Sequence, residues 1–436
     1  MTASSPPLRV AIVGAGPSGL YAAKALLGDP RLDVRVTMID QAQVPWGLVR
    51  TGVAPDHQST KNATRQFHQT ISDPRFRLLL NVAIGDDLEH ADVLAHHHAV
   101  LYATGASVGR PLVLPGEPLN GVHDAIGFVG WYNGDPRHRN LEVDLSTDHA
   151  VILGNGNVAF DIARVLTTDP DVLAKTDIAD HALAALRKSA VREVTVVGRR
   201  GPEHAAFTTS ELIGLMNVPD LSLATNVGAA IPPGADQLSE FKLSLLRQLG
   251  DVHADAGRRI TLRFAEVAHG INGDKTIRSI TLNTQTGETN TIETGLLIKS
   301  VGAVSVAVPG VPFSETTGTI PNKLGRVIDI EGEIIQGVYV AGWCKRGSSG
   351  VIGTNKRCAA ETVSHILHDH SVGSLSCLGT RSGFDALIAD RALDPISTAD
   401  WWRIDWHEVD AGGGIRPRRK LVQRDDFIAA ARAATA

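Results

Sequence analysis

The chain has 436 residues, 43% of them apolar and 20% charged, with a formal net charge of -5 at pH 7. That composition is ordinary for a globular protein of two or three domains, and it excludes extensive disorder and an overall basic field of the kind that binds nucleic acid. The three cysteines, Cys344, Cys358 and Cys377, form no C-x-x-C pair, which argues against a disulfide framework, a zinc site or a dithiol redox centre; no metal is expected, and the compartment reads as reducing.

The opening MTASSPPLRVAIVG has no charged segment followed by an apolar one, and no apolar run reaches the roughly 18 residues that span a bilayer. A cytoplasmic protein without membrane insertion is expected, with a short frayed leader before Leu8. LRVAIVGAGPSGLYAAKALL then predicts a buried strand, a turn and an amphipathic helix, with Gly14, Gly16 and Gly19 in G-x-G-x-x-G spacing. The next strand, VRVTMID, ends in Asp40 about twenty residues beyond the last glycine, which completes a dinucleotide-binding fingerprint. Gly14 serves the tight turn, Gly16 the approach of a pyrophosphate and Gly19 the closure of helix on strand, while Asp40 offers a carboxylate to ribose hydroxyls. QAQVPWGLVRTGVAPDHQSTKN is rich in turn formers and reads as a functional loop. HHHAVLYATGAS gives another buried strand, ending at Thr104 and Gly105. Its three adjacent histidines, His96 to His98, point in different directions and read as a solvated strand entry rather than a metal site.

The fingerprint returns in HAVILGNGNVAFDIARVL, where Gly154, Gly156 and Ala159 repeat the spacing between a strand and a helix. The matching second strand, VREVTVVGRR, follows a helical insertion around DIADHALAALRKSA and ends in Arg199 and Arg200, with no acid. Paired guanidiniums match a 2′-phosphate with forked, charge-assisted hydrogen bonds, so this second nucleotide is expected to be NADP(H).

Strand-like runs follow in RRITLRFAEVAHGI, IRSITLNTQ and TGLLIKSVG, then the Gly/Pro-rich VGAVSVAVPGVPF. A strand-loop-helix pattern resumes at GVYVAGWCKRGSSGVIGTNKRCA, whose glycines allow close backbone approach and whose helix start favours negative charge. The fold expected is α/β, with two Rossmann-like dinucleotide-binding domains, the NADP domain inserted into the other: residues 1–107 and 325–436 form one, and residues 108–324 the second. Near the end, GGGIRPRRKLVQR carries Arg416, Arg418, Arg419, Lys420 and Arg424 without an acid, and is a candidate basic docking face or a solvated tail segment.

Taken together, VGAGPSGLYAA, WGLVRTGVAPDH, LYATGA, ILGNGNVAFDIAR, VVGRRGPEHAAFTTSEL, PNKLGRV, GWCKRGSSGVIGTNKRCA and WWRIDWHEVDAGGGIRPRRK span almost the whole chain. In these stretches the sequence resembles the adrenodoxin reductase type of ferredoxin-NADP+ reductase. The resemblance implies FAD at the first turn, held by Gly14, Ala15, Gly16, Ser18, Gly19, Asp40, Leu48 and Val82. It implies NADP at the second, held by Asn155, Gly156, Asn157, Val158, Arg199, Arg200 and Glu211. Trp343 and the backbone of Gly350, Val351 and Ile352 are implied against the isoalloxazine, and His57 and Glu211 near the meeting of the two rings, as polar positioning groups and for proton balance. The implied activity carries electrons from NADPH through FAD, one at a time, to a ferredoxin-type iron-sulfur protein. A flavin disulfide reductase lacks support because its dithiol is missing; an FAD/NADPH monooxygenase and a non-catalytic nucleotide-binding redox sensor remain as alternatives. Thr51, Cys344 and Ser348-Ser349 depart from the family pattern without touching the phosphate-binding glycines.

Overall fold

The computed structural model describes residues 7–30, 32–227, 237–249, 257–350 and 352–433; the frayed leader lies almost wholly outside the described residues. Among these, the strands form sheets of seven, six, three and two members.

In the seven-stranded sheet, Ile334–Val340, Ala99–Tyr102, Leu8–Val13, Val34–Asp40 and Phe76–Leu80 run parallel in that spatial order. Asn322–Lys323 and Arg326–Ile328 extend the sheet as an antiparallel edge. Beyond the arginines at their second positions, strands Leu8–Val13, Val34–Asp40 and Phe76–Leu80 are largely apolar on both faces, and both faces are covered. Leu8, Val10 and Ile12 pack with Leu20 of helix Pro17–Leu27 and Val363 of helix Ile352–Ser371, whereas Ala11, Val13 and Val100 pack with Val93 of helix His90–His96 and Phe384 of helix Arg381–Asp390.

The six-stranded sheet is parallel throughout, in the order Val122–Asp124, Leu296–Lys299, His149–Leu153, Glu193–Gly198, Arg258–Phe264, Leu221–Thr225. The two crossings between the sheets run side by side, with Val108–Gly109 paired antiparallel to Ala303–Val304. The run RRITLRFAEVAHGI, expected as one strand, is two: Ala265 takes φ 60° and breaks it. Arg258–Phe264 stays in the parallel sheet, and Glu266–Gly273 turns away into a three-stranded antiparallel sheet with Ile277–Thr284 and Thr289–Glu293.

Two further expectations need correction. His96 to His98 are not a solvated entry: His96 ends a helix, and His97 is 3% exposed, its Nδ1 2.8 Å from the Val93 carbonyl and its ring against Phe384. The covering helix Arg381–Asp390 buries it. Most of the basic tail segment is not free, although Arg419 stays largely exposed and Arg424 meets only the Asn81 side chain among the described residues. Arg416 and Arg419 pair with Asp180, Arg418 with Asp405 and Glu408, and the fully buried Lys420 with Asp177. Asp177 also takes Lys61, and Glu408 takes Arg50 in a buried two-pronged pair of 2.5 and 2.7 Å. The acids that neutralise this segment come from residues 177–180 and from helix Thr398–Ala411, so the segment fastens the second sheet's unit to the first.

Candidate functional site

Both glycine turns sit at the carboxyl ends of parallel strands, where open α/β sheets leave a crevice. At the first, Gly14 takes φ 111°, and a Cβ there would lie 2.4 Å from the Ala103 carbonyl oxygen. A Cβ on Gly19 would lie 2.1 Å from the Gly14 carbonyl oxygen, so only glycine lets helix Pro17–Leu27 close on the turn. The Asp40 carboxylate holds the turn from the next strand, accepting from Ala15 N at 2.6 Å and Ala42 N at 2.9 Å; burial pushes its pKa up, against those two hydrogen bonds. Val82 is buried behind Asp40, its N donating to the Asp40 carbonyl. Leu48 opens the short helix Leu48–Thr51, which follows Trp46 and Gly47; Trp46 N donates to the Ala15 carbonyl.

At the second turn Gly154 repeats φ 111° against the Ser300 carbonyl, and Ala159 is buried where Gly19 stood. The Asn155 carbonyl accepts from Phe207 N at 3.0 Å and the Asn157 side chain from Thr208 N at 2.8 Å, which ties the turn to the start of helix Thr209–Met216 and so places Glu211. Val158 is partly exposed on the first helical turn. Arg199 and Arg200 are exposed at the end of strand Glu193–Gly198, and neither guanidinium has a hydrogen-bond or ion-pair partner among the described residues.

Gly342, just before Trp343, packs on the start of helix Pro17–Leu27 at the first turn, since a Cβ on it would lie 2.2 Å from Ser18 Oγ. Trp343 is half-buried, its Nε1 donating to the Ser349 carbonyl at 3.1 Å. Gly350 is exposed at φ 80°, Ile352 begins the long helix, and Val351 lies outside the described residues. Cys344 is fully buried, and Ser348 Oγ bonds Ala303 in the second crossing. Thr51 Oγ1 donates to the Gly47 carbonyl.

His57 and Glu211, 154 positions apart, meet across the two units. His57 Nε2 is 3.7 Å from Glu211 Oε2, and its Nδ1 is 3.7 Å from Asp161 Oδ1. Arg164 ties the group together, bonding Asp56 at 2.5 Å and Asp161 at 2.7 Å and reaching Glu211 at 3.7 Å. Burial raises the Asp161 pKa to about 6, more than Arg164 and His57 lower it. Burial acts on Asp56 in the same sense, but the hydrogen bond and charge of Arg164 outweigh it and hold the carboxyl below its ordinary value. His57, Asp161 and Glu211 put three ligand-type atoms within 4.8 Å of one another. The Arg164 guanidinium already occupies Asp161, so this is a charge-compensated network able to hold or pass a proton rather than a cation cage. Sequence reading missed Asp56, Asp161 and Arg164. The available signal was the acid-base pair Asp161 and Arg164 at i, i+3 in the helix that opens at the second turn.

The two turns fit dinucleotides by their shape. A Cβ on Gly156 would meet nothing within 4 Å, and one on Gly16 only the Gly47 Cα at 3.9 Å, so the middle glycine of each turn faces open space. Helices Pro17–Leu27 and Asn157–Thr167 both start without a side-chain cap, which leaves amide N–H groups for a pyrophosphate.

The family model for pyridine nucleotide-disulphide oxidoreductase matches residues 8–203. A probable ferredoxin/ferredoxin--NADP reductase of Mycobacterium tuberculosis is 44% identical over 98% of this chain and 76% of its own length. The mitochondrial NADPH:adrenodoxin oxidoreductase of Arabidopsis thaliana is 38% identical over 99% of this chain and 96% of its own. The solved structure of Mycobacterium tuberculosis FprA in complex with NADPH superposes with a TM-score of 0.91 at 37% identity, covering 98% of this chain and all of that one. The two turns, their spacing and this extent of similarity together show that the chain belongs to the adrenodoxin reductase type of the ferredoxin-NADP reductase family.

Proposed function

We propose that this protein is an NADPH-dependent flavoprotein reductase that passes electrons from NADPH through bound FAD, one at a time, to a ferredoxin-type iron-sulfur protein. The observation that carries the reading is the meeting of two uncapped glycine turns, one per sheet, across the His57, Asp161 and Glu211 network. When bound, the flavin supplies the exchange between the two-electron chemistry of NADPH and the one-electron chemistry of an iron-sulfur acceptor.

The protein's share is binding, orientation and charge placement. Gly14, Ala15, Gly16, Ser18, Gly19, Asp40, Leu48 and Val82 hold FAD, and Trp343, Gly350, Val351 and Ile352 border its ring. Asn155, Gly156, Asn157 and Val158 hold the NADP pyrophosphate, and Arg199 and Arg200 its 2′-phosphate, which their exposed, unpartnered guanidiniums favour. His57, Glu211 and Asp161 orient polar groups and hold a proton between the two units, with Asp161 close to half-protonated near pH 6. No two of the three cysteines stand in C-x-x-C spacing, and Cys344 and Cys358 are buried.

The domain division 1–107, 108–324 and 325–436 is part of the proposal. Sheet membership supports it, although Val308, Val311 and Ile320 pack in the first sheet's core and favour a somewhat earlier return. We place the protein in the cytoplasm; no helix among the described residues is long and apolar enough to cross a membrane. The test is NADPH-driven cytochrome c reduction by the FAD-loaded protein, with and without a ferredoxin from the same organism. Stimulation by ferredoxin is expected. A rate indifferent to ferredoxin, or NADPH oxidation coupled to oxygen consumption and a hydroxylated product, refutes the reading.

A further inference from the structure

At the amino edge of the seven-stranded sheet, a cavity of about 190 Å³ is lined by five arginines, Arg9, Arg35, Arg75, Arg77 and Arg381, with His97 behind them. Arg9 is in register with Arg35, and Val36 with Phe76, so Arg9, Arg35 and Arg75 lie in one row across three parallel strands. Arg77, in register with Thr37, lies on the same face as Arg9 and Arg35, whereas the Arg75 guanidinium, one residue before its strand, also donates to the Leu27 carbonyl at 2.7 Å, at the end of the helix on the opposite face. Further along the strands, that face carries Ala11, Val13, Ile39 and Leu79 in the apolar core.

A row of like charges on adjacent strands costs stability unless something answers it. The protein answers it only in part. Arg35 pairs with Asp33 at 3.0 Å, Arg75 with Asp73 at 2.8 Å, and Arg77 with Asp385. Arg9 donates to the His96 carbonyl at 3.2 Å, the Gly379 carbonyl at 2.7 Å and Cys377 Sγ at 3.0 Å, and has no carboxylate partner among the described residues. Arg381 is exposed at the first position of helix Arg381–Asp390 and makes no ion pair among the described residues. With Arg75 satisfied by Asp73 and the Leu27 carbonyl, four guanidiniums face two carboxylates among the described residues, and the amino end of that ten-residue helix adds partial positive charge. The surplus is felt at His97, whose pKa is brought down to about 4 by burial first and then by Arg9, His96 and Arg77.

We propose that this cavity binds a small phosphate-bearing anion, at a site separate from both dinucleotide turns. Guanidinium forks match phosphate oxygens in pairs, and the volume suits one or two phosphoryl groups rather than a whole dinucleotide. Arg9 is the second residue of its strand and Gly14 follows the last, so at about 3.3 Å per residue the site lies roughly 16 Å from the first turn, at the opposite edge of the sheet.

The test is calorimetric titration of the FAD-loaded protein with inorganic pyrophosphate at constant ionic strength. Saturable binding is expected, weakened tenfold or more by Arg9→Gln or Arg381→Ala and unchanged by Arg199→Ala combined with Arg200→Ala. Arg381 is exposed and makes no ion pair among the described residues, so its variant keeps the test decisive if Arg9→Gln does not fold. Every other pattern overturns the proposal: no saturable binding, wild-type affinity in both cavity variants, or weakening by the Arg199 and Arg200 substitutions.

Discussion

Asp177→Asn removes one charge from the most buried electrostatic contact between the two units. The Asp177 carboxylate accepts from Lys61 Nζ at 2.6 and 2.8 Å and pairs with Lys420 Nζ at 3.2 Å, with side-chain exposures of 5%, 9% and 0% for the aspartate and the two lysines. The isosteric amide keeps the volume but leaves two buried ammonium groups without their counter-charge. Lys420 would retain only the Arg50 carbonyl and the Asn133 side-chain oxygen, both at 3.1 Å. Breaking a buried pair in this way costs about 3–5 kcal/mol. At roughly 2–4 °C per kcal/mol for a unit of about 200 residues, Tm falls by on the order of 10 °C. Urea unfolding at pH 7, followed by tryptophan fluorescence, reads the loss, and Asp177→Asn combined with Lys420→Met should recover part of it, because the second change removes one stranded charge. The pH dependence has a definite sign. Burial acts to raise the Asp177 pKa, but Lys420 and Lys61 hold it well below the ordinary carboxylate value, so its stabilisation is present above about pH 4 and is lost as pH falls further. The variant's stability should therefore fall less steeply on the acid side than the wild type's. A loss below about 1 kcal/mol, or additive effects in the double variant, refutes this account.

Three other outcomes follow from the site. Arg199→Ala with Arg200→Ala should remove most of the preference for NADPH over NADH, at roughly 1.5–3 kcal/mol per phosphate contact; the ratio of kcat/KM for the two nucleotides measures it. Asp161→Asn should flatten the part of the pH-rate profile near pH 6 for NADPH-driven dye reduction, since Asp161 is the acid raised to that range; an unchanged profile assigns that ionisation elsewhere. Arg418→Glu should lower Tm rather than raise the KM for ferredoxin, because Arg418 pairs with Asp405 at 2.8 Å and Glu408 at 3.1 Å instead of facing solvent; a changed KM at unchanged Tm would restore the basic-tail docking face.

The parts of this protein legible in the sequence are those with local physical causes. Gly14 and Gly154 must take positive φ, Gly19 must admit a carbonyl at its flank, and each effect appears within a single strand-turn-helix unit as spacing. The missing acid and paired arginines after strand Glu193–Gly198 are likewise readable where they stand. The split at Ala265 was not readable, because the residues on both sides alternate as strands do and only the change of sheet distinguishes them.

Charge was where sequence reading failed, and the reason is distance along the chain. The five cations of residues 416–424 read as a basic face, yet the acids that neutralise Arg416, Arg418, Arg419 and Lys420 stand at 177, 180, 405 and 408. Arg164 and Asp56, bonded at 2.5 Å, are 108 positions apart. An ion pair's partner is set by which surfaces the two units bring together, and burial then decides whether a carboxyl stays low, as Asp56 does, or is raised, as Asp161 is. The sequence by itself thus determined the two glycine turns and the pair of arginines that follows the second, through backbone sterics and residue chemistry a few positions wide. Only the tertiary structure decided which charges face each other, because Coulomb energy and desolvation depend on separation in space, and a linear pattern of residues does not carry it.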